Sequence, residues 1–420
     1  MFRKGLFIVV SAVLAFTVLG TYRPAAAAIT LTVSTNLVGE PVTVLQKLTD
    51  KFTAANPDIK IDFSAPGADY EAQMKVKMAA NDLPDVFSTH GWAKIRYGAF
   101  LLDLKDQPWV SRIVAPMKPI VTDDAGKVYV LPLDSDVAGP VYNVDLFKQY
   151  GLDVPASWDD LIAACKTIIS KSSGAVTPIH VGSADGWPLG HMLDLFSSSL
   201  LISSSKKAGP SLTDGSFDWS QYLPMAQGLA DLQKNGCLNK DANTAKYTDS
   251  ANALATGKAA MGIYGPFIVS DARKVNPKVN LGFFPVPAFA KGDPVTFIGG
   301  EKTTFGVWKD SPNKDAGLKF LAFLAQPEND VLVAQANQLS SALSDVKVDL
   351  GDMAPFYNKY KDVAYFPYFD RVYLPNGMFD AMDKGAQDLL AGGITPQQFV
   401  DNLKGEYVRL RAATAATPAS

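Results

Sequence analysis

Three histidines, two cysteines and 42 acidic side chains are the groups from which this 420-residue chain could assemble a reactive centre. His90, His180 and His191 form no His-Glu-x-x-His arrangement and the cysteines lack zinc spacing, so no metal site is expected. A Gly-x-Ser-x-Gly elbow, a Walker loop and a dinucleotide fingerprint are also missing. Hydrolases, nucleotide-dependent enzymes and oxidoreductases thereby lose their usual anchors. No catalytic residue is assigned and no cofactor is expected. A secreted glycosidase is the enzymatic alternative that survives, because it needs only two carboxylates facing each other across a cleft, and sequence does not sort the many pairs. Cys165 and Cys237 leave two readings open: a disulfide in an oxidising compartment, or two separately buried thiols.

The ends and the composition bound the setting. Arg3 and Lys4 precede an apolar run over residues 5–19, and small residues close it at 25–28, the pattern of a Sec-type signal peptide over residues 1–28. Ser11, Thr17 and Gly20 interrupt the run, which argues against a membrane-spanning helix. No cysteine stands at the cleavage point, and no second hydrophobic span follows. A periplasmic protein is expected, with a secreted form as the alternative. The net charge of −3 offers no basic field for nucleic acid or an anionic membrane. A chain of this length exceeds one hydrophobic core, so two domains are expected.

Residues 29–33 and 59–63 alternate apolar and polar side chains, while Val42, Leu45, Leu48 and Phe52 recur at helical spacing between them. Strand, helix, strand implies a parallel pair. A helix over 70–80, a strand over 85–89, another helix to about Phe100, and strands near 128–133 and 140–144 complete an α/β unit. Ser157 and Asp160 form a variant capping box at the start of a helix through Ile168. Residues 281–287 and the break at Gln326-Pro327 suggest passages between lobes. No internal repeat is present, and residues 412–420 read as a disordered tail.

Several stretches resemble, in order along nearly the whole chain after residue 28, the extracellular carbohydrate-binding proteins that serve ABC importers, the maltose-binding-protein-like solute-binding family. Lys51-Phe52 with residues 56–61 is similar to its first helix and second strand. Leu83-Pro84-Asp85-Val86-Phe87 resembles its Pro-Asp strand. Val141-Tyr142-Asn143-Val144-Asp145-Leu146-Phe147, followed by Pro155, Ser157-Trp158-Asp159-Asp160-Leu161, is the most specific pair. Residues 257–261 with Gly265-Pro266-Phe267 resemble a further element in which the usual Trp is Phe267. Phe283-Pro285-Val286-Pro287, Gly299-Gly300, and residues 321–328 match the hinge return, a glycine turn and a helix. The resemblance implies an α/β, two-lobed periplasmic-binding-protein fold of the Venus-flytrap type, with an interlobe cleft and multiple hinge crossings. Lobe one would hold residues 29–136 and 288–328, and lobe two 139–286 and 332–420. It further implies a monomer that captures a mono- or oligosaccharide, or a polyol, by lobe closure and hands it to the membrane permease of an ABC importer. A binding protein for a polyamine, an organic anion or ferric ion is the alternative within the same fold.

A sugar offers hydroxyls around its edge and C–H groups on its faces, so its site needs in-plane hydrogen-bonding groups and an aromatic ring below. Asn36 and Glu40 follow the first strand, where open α/β sheets meet ligands; Glu40 could instead serve only its helix N-terminus. By position within the family, Thr89, Gly91 and Trp92 follow the Pro-Asp strand into the cleft. Asp136, with Asp134 as its competitor, sits near the hinge, and Asp185 and Trp187 lie in a cleft-facing loop. Tyr264 and Phe267 flank Gly265-Pro266, whose turn would present a ring from lobe two, with core packing as the alternative for Tyr264. Gly299 and Gly300 permit close approach beside Glu301, or make a plain turn; the aromatic cluster over 366–373 with Asp370 and Arg371, and then Phe379, lies near the family's final platform, with a surface ion pair as the alternative for Asp370 and Arg371.

Overall fold

The alternation at the start of the chain becomes the strand Ile29–Ser34, which pairs in parallel with Ile59–Ser64 in the register Ile29 to Ile59. The helix Glu40–Ala55 crosses between them, burying Leu45, Leu48 and Phe52. Phe52 meets the edges of Phe320 and Phe323 at centroid distances of 5.2 and 5.3 Å, and a ring so buried stabilises the lobe by about 1.5–3 kcal/mol. This computed structural model describes residues 28–416. The expected signal peptide over 1–28 thus lies outside the described residues but for Ala28, as do residues 417–420.

The first sheet runs in the order Ile59–Ser64, Ile29–Ser34, Val86–Phe87, Thr304–Val307, Leu131–Pro132. Asp85 locks it. Its carboxylate accepts from the backbone N–H and hydroxyl of Thr32, both at 2.8 Å, and from Ser311 at 2.6 Å. The second sheet, ordered Thr177–Ile179, Ala259–Ile263, Pro140–Asn143, Leu281–Phe283, forms the heart of the other lobe. Helices cover it, including Trp158–Lys171, whose Ser157–Asp160 capping box is present in both directions. The chain changes lobes through a three-stranded hinge sheet, Tyr365–Pro367, Phe297–Gly300 and Asp136–Ala138, with Gly300 opposite Asp136.

Four expectations are revised by the packing. The helix expected after the Pro-Asp strand is a series of turns ending in the single turn Gly98–Phe100, because His90 and Gly91 both take left-handed backbone angles, φ 48° and 89°. The Phe289 ring packs at a tilt on Trp158 at 4.8 Å, and the backbone N–H of Trp158 donates to the Ala288 carbonyl, so the segment from 288 begins against lobe two. Conversely, Val333, Ala342 and Leu343 belong to the core of lobe one, so its share of the chain continues past 332. The last helix, Pro396–Ala416, takes in residues 412–416 of the expected disordered tail, the rest of which lies outside the described residues. Cys165 and Cys237 are free, fully buried thiols, and not a disulfide. Hydrogen bonding to Cys237, together with burial, pushes the Cys165 thiol far above its ordinary range.

Candidate functional site

A cavity of about 360 Å3 opens between the lobes, within the range of small-molecule sites. From lobe one come Asn36, Tyr70, Glu71, His90 and Trp92; from the hinge region, Asp136, Lys302 and Asn337; from lobe two, Asp185, Trp187, His191, Tyr247, Phe267, Asp271, Tyr368, Arg371 and Phe379, among others.

Trp92 is placed by the turn that His90 and Gly91 make. Its indole N–H donates to Asp370 of lobe two at 2.7 Å. The Arg96 guanidinium lies 4.0 Å from the ring centroid and Arg371 lies 5.1 Å away. His90 and Phe379 meet the ring edge-on at 5.1 and 5.9 Å. Arg96 in turn donates to Glu71, which also accepts from Tyr97 at 3.2 Å and bonds His90 Nδ1 at 3.0 Å. Burial works against the Glu71 charge, but His90, Arg96 and Tyr97 prevail and hold its carboxyl at about 2.

Lobe two presents rings. Trp187 sits 5.4 Å from Tyr247, 5.7 Å from Tyr264 and 5.9 Å from His191. Tyr247 stacks on Phe267 at 6.2 Å, and its hydroxyl donates to Asp271 at 2.9 Å. Asp185 accepts the Tyr247 backbone N–H at 2.8 Å. The His191 Nε2–H donates to the Tyr264 carbonyl at 2.6 Å. Burial pushes His191 down to about 3, so the ring is neutral and Nδ1 is left as an acceptor. Lys302 reaches across from the hinge, its Nζ 3.4 Å from the Phe267 centroid. Tyr368 donates to Asp136 and carries Arg371 over its face at 3.9 Å.

Of the residues singled out in the sequence, Asn36, Trp92, Asp136, Asp185, Trp187, Phe267, Arg371 and Phe379 all line this cavity. The others stand elsewhere. Thr89 is fully buried and bonds Thr304 at 2.8 Å. Glu40 occupies the first turn of its helix. Asp134 is fully buried, accepting from the Thr303 N–H at 2.7 Å and the Asn337 amide at 2.8 Å, and burial raises it to about 6. Tyr264 is buried behind Trp187, its hydroxyl bonded to Ser250 at 2.8 Å and to the Gly182 N–H at 3.1 Å. Gly265 makes a turn at φ 130°. Gly91 is required: a Cβ there would lie 2.1 Å from the Arg371 guanidinium. Gly299, Gly300 and Glu301 line a second, small cavity that Arg371 shares with the first.

The sequence did not single out Tyr247, His191, Lys302 or the Glu71–His90 pair as site residues, and offered Tyr368 only as part of the aromatic cluster over 366–373. A signal existed for His191, one helical turn beyond Trp187 on the same helix face. Lys302, beside the singled-out Glu301, was legible only as a neighbour. Tyr247 lies in no motif.

The arrangement offers aromatic surface on both sides of a cleft, with carboxylates, a neutral imidazole and two cations between, so it can cover an apolar face and bond a polar edge at once. The melibiose/raffinose/stachyose-binding protein MelE of Bacillus subtilis (strain 168) is 39% identical over 367 residues, which cover 87% of this chain and 86% of that protein. The sn-glycerol-3-phosphate-binding periplasmic protein UgpB of Escherichia coli (strain K12) is 28% identical over 350 residues, 77% of this chain and 76% of that protein. A solved sugar transporter of Bacillus licheniformis in complex with stachyose has a TM-score of 0.85 at 40% identity, covering 91% of this chain and 100% of that one. A Bacillus subtilis binding protein in an open conformation has a TM-score of 0.83 at 37% identity, covering 93% and 99%. With residues 38–331 matching the family described as bacterial extracellular solute-binding protein, this chain belongs to that family.

Proposed function

We propose that this protein captures an oligosaccharide of the melibiose, raffinose and stachyose type between its lobes and delivers it unchanged to the permease of an ABC importer. The observation that carries the reading is the paired aromatic surface, Trp92 facing from lobe one and Trp187, Tyr247 and Phe267 from lobe two, around a cavity that also holds Asp136, Asp185, His191 and Lys302. Rings cover the C–H faces of a pyranose; the polar groups select its hydroxyl pattern, since each buried hydroxyl left unpaired costs about 1–3 kcal/mol. Relatives at 39% and 40% identity that bear the names of these sugars support the choice within the carbohydrate class.

In this account ligand first meets one lobe, and closure about the hinge sheet brings the other lobe's groups onto it, shifting the population toward the closed form. Only the closed form then docks productively on the permease. The carboxylates of the cleft orient the sugar and do no catalytic work. Export to the periplasm as a monomer completes the reading.

A thermal-shift panel of melibiose, raffinose, stachyose, maltose, glycerol 3-phosphate and spermidine tests it, because binding to the native state raises the apparent melting temperature by mass action. The first three sugars should raise it at micromolar to low millimolar concentration, with small-angle scattering recording a more compact particle. A response to glycerol 3-phosphate or spermidine alone would overturn the substrate.

A further inference from the structure

Arg371 borders not one cavity but two. The smaller has a volume of about 10 Å3, room for a single water. Its walls come from three parts of the chain: Gly91 and Lys94 of lobe one, Gly300 and Glu301 at the end of the hinge strand, and Tyr368 and Arg371 of lobe two. Glu301 is fully buried. Neither of its carboxylate oxygens has a hydrogen-bond partner, and Nε of Arg371 is likewise buried and unpartnered.

The charged groups that face Glu301 are committed to other neighbours. Lys94 donates to the carbonyls of Pro119 at 2.7 Å and Thr122 at 3.4 Å. Asp134 accepts from Thr303 and Asn337. Arg371 lies on the Tyr368 ring, donates to the Glu301 backbone carbonyl at 3.3 Å, and has its Nε 4.0 Å from a carboxylate oxygen of Asp370, beyond hydrogen-bond reach. A closed-in carboxylate that accepts no hydrogen bond is strongly disfavoured in its ionised form, so these surroundings select the neutral acid. Consistently, burial, against the pull of Arg371, raises Glu301 from 4.5 to about 7. Because lobe one supplies part of the enclosure, opening the cleft would hydrate Glu301 and remove that pressure.

We propose that Glu301 is a positioning residue, holding Arg371 from behind through one bridging water, and that it takes up a proton when the lobes close on carbohydrate. The inference rests on the carbohydrate reading given above. Its sign follows from linkage: the form that binds the proton more tightly is favoured at low pH. Affinity is therefore highest below about 4.5, where both forms are protonated, falls as pH rises toward about 7, and levels off beyond.

Calorimetric titration with raffinose at several pH values, in buffers of different ionisation enthalpy, reads affinity and proton exchange together. The wild type should take up close to one proton per ligand near pH 6 and lose affinity by roughly 40-fold in all between about pH 5 and 7. Glu301→Gln, a neutral isostere that cannot titrate, should lose most of that uptake and bind with a nearly flat pH profile, keeping the wild-type melting temperature near pH 5. A Gln variant that keeps the wild-type slope, or a wild type without one, overturns the proposal. A wild type that binds no oligosaccharide even near pH 5 instead brings down the substrate reading and the coupling with it, a result distinct from binding with a flat profile.

Discussion

On the lobe-one side of the cleft, Glu71 gathers His90, Arg96 and Tyr97, and Arg96 lies over Trp92, so the large ring there is held by charged neighbours and by a hydrogen bond that crosses to Asp370. On the lobe-two side, Trp187 and Phe267 are fixed mainly by other rings, Tyr247 and Tyr264 among them. The difference separates two tasks. Ring-on-ring packing keeps its shape whether the cleft is open or closed, so lobe two can offer apolar area to an arriving sugar at little ordering cost. The lobe-one ring depends on a bond made between lobes, so its final placement reports closure.

Breaking the lobe-two wall should have the largest effect. Trp187→Ala is expected to cost about 2–3 kcal/mol of binding, roughly 30- to 150-fold in Kd, with a near-native melting temperature, read by calorimetry against raffinose. Glu71→Gln acts on the lobe-one network instead, and on stability. Because its folded carboxyl is held near 2 against an ordinary 4.5, Glu71 contributes stability that is present above 4.5 and lost as pH falls toward 2. Discounting for a side chain that is 30% exposed, the contribution is about 2 kcal/mol. Urea unfolding should show the variant less stable by that amount at pH 7 and equal to wild type near pH 2. An unchanged gap across pH would detach the network from Glu71.

Trp92→Phe keeps a ring but removes the donor to Asp370, leaving a buried carboxylate oxygen unpaired. A loss of about 1.5 kcal/mol, near tenfold in affinity, is expected, together with a smaller compaction on ligand addition in small-angle scattering. The smallest effect on binding belongs to Tyr264→Phe, which deletes the hydroxyl bonded to Ser250 and Gly182 behind the wall. Stability should fall by about 1 kcal/mol while Kd moves less than twofold, separating the support of the wall from its surface.

Much of the scaffold was legible because it depends on local pattern. The alternation over 29–33 and 59–63 becomes a parallel pair, and Ser157 with Asp160 forms its box. Asn36 could be placed near the cleft because it follows a strand end, whereas Asp136, Asp185 and Trp187 were placed there only by their positions within the resembled family. What escaped depends on meetings between distant segments. The left-handed pair His90–Gly91 is stabilised by Arg371 packing against a glycine some 280 positions away. Tyr247 enters the cavity because Asp185 holds its backbone N–H. Asp134 and Asp136 read alike in sequence, yet one is consumed by Thr303 and Asn337 while the other lines the cleft.

The most direct measurement is calorimetric titration of the purified protein with raffinose and stachyose, with the sugar recovered and analysed afterward. The account predicts one oligosaccharide per chain, bound at micromolar Kd or tighter and returned intact. No saturable binding of either sugar, or their progressive cleavage by substoichiometric protein, would contradict it.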